Sequence, residues 1–115
     1  MTAEGKTTIA PEVLLTIARL SCLNVEGVSR MATMSKPINR LLSKSVKDGV
    51  QVEVEDDTVY LDLYVILKSD VNVREVSRTI QQEVTRAISE MVGMQVGKVN
   101  IHIEDIDYPQ NTVDK

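Results

Sequence analysis

His102 and Cys22 are the single histidine and the single cysteine of the chain, so a thiol nucleophile with an imidazole base has to be built from that pair. A thiol is activated when an adjacent base takes its proton. Cys22, however, lies in the run Val13 to Leu23 on one apolar side with Leu14 and Ala18, where a cysteine acts as a small packing residue. His102 alternates with Asn100 and Glu104 on the outward side of a strand pattern, and neither residue has the ligand spacing of a closed metal site. Glu53, Glu55, Asp56, Asp57 and Asp62 crowd one stretch, the raw material for a cation site. They lack the interspersed glycine of a calcium loop, and a solvated acidic turn accounts for them. The chain also holds no glycine-rich phosphate loop and no GXXG clamp. The expectation is that no residue is catalytic, cofactor-binding or metal-binding.

Two other groupings suit contact rather than reaction. Lys36, Arg40, Lys44 and Lys47 recur at spacings of four, four and three beside an apolar side of Ile38, Leu41, Leu42 and Val46. Ser35-Lys36-Pro37 starts a helix in this reading, giving a basic amphipathic segment. It is either a solvated helix face or a contact with an anionic membrane surface, an acidic partner or nucleic acid. The second grouping is Tyr60, Tyr64 and Ile66, which stand on the outward side of one strand about 7 Å apart at alternate positions. If the helices cover the other side, they form a surface for another subunit or a partner; alternatively Lys98 or His102 lies over the rings and the row stiffens the sheet.

The elements that position these residues are legible from period. Val50, Val52 and Val54 alternate with polar residues, as do Val59, Leu61, Leu63, Val65 and Leu67 against Tyr60, Asp62, Tyr64, Ile66 and Lys68; period two means half-buried strands. Placing Asp56 and Asp57 in a two-residue turn sets Val54 opposite Val59, Val52 opposite Leu61 and Val50 opposite Leu63, whereas a shift by one would set valines against the polar face. Val73, Val76, Ile80, Val84, Ile88, Met91 and Val92 form one helical stripe, opened by an Asn72–Glu75 capping box and closed by Gly93. A last strand runs from Val99 to Glu104, with Gly97 as a bulge or bend before it. Earlier, Pro11 and Glu12 open a helix through Leu23. Its two apolar lines, Val13-Ile17-Leu20 and Leu14-Ala18-Cys22, make a face wider than one sheet contact needs, so it is deeply packed or meets another chain. A strand from Val28 to Met31 follows Gly27, and Lys6 to Ala10 offers a further edge strand. The fold class expected is an α/β (α+β) two-layer sandwich: a mixed sheet of three to four strands with the Pro11 and Val73 helices on one face. It forms one domain over residues 1–115, with an ordered core of about residues 6–106 and short polar tails.

A net charge of −4 and an aromatic set of three tyrosines argue against a phosphate-binding or base-stacking protein. One cysteine fits a reducing compartment. No signal peptide or membrane span is expected, which leaves a cytoplasmic protein.

The order Gly5-Lys6-Thr7-Thr8-Ile9-Ala10-Pro11-Glu12-Val13, Ile17-Ala18, Val25-Glu26-Gly27-Val28, Gly49 to Val54, Val59 to Val65 and Val99-Asn100-Ile101-His102-Ile103 resembles the bacterial alkaline shock protein family, the Gls-type envelope stress response proteins. The resemblance spans Gly5 to about Ile106. It implies a non-enzymatic cytoplasmic protein that forms homo-oligomers and is held at the inner face of the membrane by a membrane-anchored protein partner. It brings no small-molecule substrate, no cofactor, no direct membrane insertion and no catalytic residue. The alternative reading is a small nucleic-acid-binding module using the basic segment 36–47.

Overall fold

Asp56 and Asp57 both adopt positive φ, 50° and 67°, the pair of left-handed residues whose twist matches a two-residue hairpin. They join β3 (Val50–Glu55) to β4 (Thr58–Lys68) in a computed structural model that describes residues 4–33 and 44–109, with backbone only for 44 and 45. Glu55 then faces Thr58, Val54 faces Val59, Val52 faces Leu61 and Val50 faces Leu63, the register that the alternation of valines demands. Val50, Val52, Val59, Leu61 and Leu63 are buried, but Val54, beside the turn, is 38% exposed.

β4 is the axis of the sheet. β1 (Val28–Met31) pairs with its second half and β3 with its first, both antiparallel. Tyr64 donates its N–H to Gly49 O and accepts from Ala32 N on the same side, so β1 and β3 lie end to end along one flank of β4. The other flank carries β5 (Gln95–Asp107), parallel to β4 along its whole length. Parallel neighbours need a crossover, here α2 (Val73–Val92). The Asn72 side chain accepts the Glu75 N–H at 3.0 Å, and Gly93 ends the helix at φ 76°. α1 (Pro11–Leu23) packs beside α2 and over β1 and β3. Both helices bury their stripes, Leu14, Ala18 and Cys22 from one and Val76, Ile80, Val84 and Ile88 from the other, against the side of the sheet bearing Leu61, Leu63 and Val65.

The sheet has five strands rather than three or four. The fifth, β2 (Lys44–Lys47), pairs antiparallel with β3 and occupies positions expected to end a basic helix. Lys44 and Lys47 therefore stand on a strand; Lys36 and Arg40, with the expected helix start, lie outside the described residues. The reason is the Asp48-Gly49 turn, with φ of 52° and 80°, which fixes a second two-residue hairpin. Only glycine fits at 49: a Cβ there would sit 2.7 Å from Ala32 O and 3.0 Å from Tyr64 O. The last strand is also longer than Val99–Glu104. Two irregularities, between Val59/Tyr60 and between Val65/Ile66 on the β4 side, let β5 continue past Gly97 and Glu104 instead of stopping. Residues 6–10 form no strand; Ile9 packs against the core instead.

Candidate interaction surface

With both helices on one side, the opposite side of β4 and β5 presents Tyr60, Asp62, Tyr64, Lys98, Asn100 and His102, none of them fully buried. Asp62 and Tyr64 face Asn100 and His102 across the parallel pair. Asp62 Oδ1 accepts from Asn100 Nδ2 at 3.1 Å and from His102 Nε2 at 2.9 Å. Since a carboxylate only accepts, the His102 proton sits on Nε2. The His102 ring stacks on Tyr64 with centroids 4.4 Å apart and planes 10° from parallel, a contact worth about 0.5–1.5 kcal/mol beyond buried area. Burial, then the charges of Asp62 and Glu104, push the Tyr64 hydroxyl above its ordinary value.

The row Tyr60-Tyr64-Ile66 is thus broken into three environments. Tyr60 lies over the bulge residue: a Cβ on Gly97 would come within 2.6 Å of its ring. Tyr64 is capped by His102. Ile66 is 8% exposed, between Arg30 on β1 and Asp105 on β5. Around it the strands are tied across β4 by Asp107, which accepts from Ser29 Oγ at 2.6 Å and pairs with Arg30 Nε at 3.5 Å. The Ser29 hydrogen bond, followed by the Arg30 charge, holds the Asp107 carboxyl below its usual range against the opposing effect of desolvation. The exposed surface is a mixed aromatic and polar cluster centred on Tyr64, rather than an apolar strip.

Asp62 and His102 have the carboxylate–imidazole geometry that orients a general base. Among the described residues no serine, threonine or cysteine hydrogen-bonds to His102. Cys22 belongs to the core on the other side of the sheet, where burial pushes its thiol up to about 12. No group of three or more His, Cys, Asp and Glu among the described residues is placed to hold a metal ion. The joining of Asp62 to His102 is not among the sequence expectations. Its signal is present, since both stand on outward positions of two neighbouring strands, but the pairing of those strands depends on a bulge whose effect on register is not visible in the sequence.

A second surface lies on α1. Leu14, Ala18 and Cys22 are buried, while Val13 is 45% and Leu20 54% exposed; Ile17 between them packs against the core, so the inner line is covered throughout and the outer one is exposed only at its two ends. Of the basic residues, Lys47 pairs with Glu12 of α1 at 3.4 Å, both side chains largely exposed. Such a pair contributes little. No helix among the described residues is long and apolar enough to cross a membrane.

The model of the alkaline shock protein 23 family, described as having a cell envelope-related function, matches residues 1–108. The chain is 36% identical to the uncharacterized protein Spy1535 of Streptococcus pyogenes, over 92% of this chain and 84% of that one. It is 28% identical to the uncharacterized protein YqhY of Bacillus subtilis, over 90% and 78%, and 25% identical to the uncharacterized protein YloU of the same organism, over 91% of each. No solved structure matches.

Proposed function

The chain belongs to the alkaline shock protein 23 family, and from that premise we propose that it is a non-enzymatic interaction protein of cell-envelope homeostasis or envelope stress, oligomerising and working at the inner face of the membrane through a membrane-anchored protein partner. The observation that carries this reading is the uncovered side of the sheet. Both helices are committed to one face, so the Tyr64–His102–Asp62 cluster on the other is rigid, strand-mounted and accessible, while no nucleophile among the described residues adjoins its histidine. Tyrosine suits a contact surface because its ring is apolar and its hydroxyl tolerates water. The partner seats on that cluster. The exposed ends of the outer line of α1, Val13 and Leu20, are the comparison surface.

Ile66 is too buried to serve as a surface probe, and a charge there reports on folding. The test therefore uses Tyr64→Lys with Asn100→Lys, two accessible positions on the open face. The double variant keeps its circular dichroism and loses co-purification with the host membrane fraction. A folded double variant that still co-purifies, together with a Val13→Lys/Leu20→Lys variant that does not, moves the contact to α1.

A further inference from the structure

β4 is paired on both flanks, but β5 has a partner on only one among the described residues. A long strand with one row of backbone groups unpaired is a template for another chain. The direction of that row can be traced. Gln95 N–H points inward to Asp57 O, and the irregularity at Gly97 shifts the alternation by one. Val99, Ile101 and Ile103 consequently turn their N–H and C=O outward. Two side chains mark the same row: Gln81 Nε2 donates to Val99 O at 2.9 Å, and Asp105 Oδ1 accepts the N–H of Ile106 at 2.8 Å. The edge is covered near its ends and open between them. On the core side of that opening Ile101 and Ile103 are only partly buried.

We propose that a second copy of this chain pairs antiparallel with β5 about a two-fold axis at Ile101, making one sheet continuous across two subunits. The register follows from parity. Opposed residues share a face of the sheet, so the axis must pass through a residue if inward side chains are to meet inward side chains. The regular run is Lys98–Ile103, and Ile101 is the residue that centres its three outward-facing members, Val99, Ile101 and Ile103. It sets Val99 opposite the partner subunit's Ile103 and Asn100 opposite the partner subunit's His102, and brings Lys98 beside the partner subunit's Glu104. Lys98 and Glu104 are both exposed, and the two-fold forms that pair of opposite charges twice. The outward N–H and C=O of Ile101 bond their own copies, and Val99 O, already accepting from Gln81, has a second lone pair for the partner subunit's Ile103 N–H. An interface in which the same patch meets itself closes at two subunits. It names one geometry for the oligomerisation proposed above and rests on that reading.

Sedimentation of the intact chain over a range of concentrations, with charge reversals, tests it. Wild type forms a dimer of the 12.8 kDa chain. Lys98→Glu or Glu104→Lys alone raises the dimer dissociation constant by roughly tenfold, since each dimer then holds two like-charged contacts, and the double reversal restores it. Amide exchange at Ile101 and Ile103 slows as concentration rises, while Asn100 and His102, bonded inward, do not respond. A monomer at all concentrations, a dimer untouched by either single reversal, or a double reversal that fails to restore it overturns the proposal. Membrane co-purification of the Glu104→Lys variant is scored separately, since Lys98 belongs to the surface offered to the partner. Its retention separates the partner surface from the dimer edge, and its loss with an unchanged dimer contradicts the edge assignment.

Discussion

Leu61 and Ile80 face one another's layers with no exposed surface, and their roles follow from the two sequence periods alone. Truncating either to alanine costs about 2–5 kcal/mol through lost burial and the cavity left behind, measured by urea unfolding. Cys22 makes a pH prediction. Its thiol ionises at the ordinary value of 9.0 when unfolded and at about 12 in the core, so the folded state holds its proton longer. The contribution is fully present below pH 9 and falls by about 1.4 kcal/mol per pH unit until the folded value is reached. Tyr64, also raised, acts in the same direction at higher pH. Cys22→Ala should therefore flatten the start of the alkaline limb in a stability–pH profile, and an unchanged limb would show that the thiol is not buried. Individual core residues are legible because hydrophobic alternation reports burial directly. Ile66 escapes that logic because an outward position on a strand says nothing about its neighbours, here Arg30 on β1 and Asp105 on β5, strands far apart in sequence.

At the scale of elements, the sequence expectations hold wherever local chemistry and period agree: the Asp56-Asp57 hairpin, the Asn72 cap and the Gly93 stop of α2. They fail at β2, where the spacing of four among Lys36, Arg40 and Lys44 suggests a helix against Asp48-Gly49, one of the strongest short hairpin signals available. The extension of β5 is hidden for another reason, since bulges lengthen a strand by breaking the pattern that would reveal it. Gly49→Ala checks the hairpin account. The backbone there has φ 80° and oxygen atoms within 3.0 Å of any Cβ, so the variant should lose about 1–3 kcal/mol, well beyond an ordinary surface substitution. Asn72→Ala should cost about 1 kcal/mol by releasing the Glu75 N–H. Thermal unfolding of the two variants side by side ranks them, and a Gly49→Ala protein as stable as wild type would remove the second hairpin.

Seen as a whole molecule, the protein commits both helices to one side of a sheet and leaves an aromatic–polar cluster on the other, an edge strand beside it, and two exposed apolar residues, Val13 and Leu20, on α1. The fold class is readable in the chain. In the candidate site, His102 over a tyrosine ring is the alternative that the sequence offers to an open row, and it is the one the structure shows; the hydrogen bond of His102 to Asp62 is not legible, because the pairing of β4 with β5 depends on a bulge. An acidic molecule with no helix suited to span a bilayer among its described residues should bind anionic vesicles weakly and release them in physiological salt, as basic side chains near a charged surface each contribute only about 1 kcal/mol. Salt-resistant binding to protein-free vesicles would contradict a role for a protein partner. The most direct measurement of the central claim is the fraction of protein that co-sediments with native host membranes, before and after protease treatment of those membranes, for wild type and for Tyr64→Lys/Asn100→Lys. The interaction account predicts protease-sensitive binding of wild type and none for the folded double variant. Equal binding by both proteins, surviving protease, would contradict it.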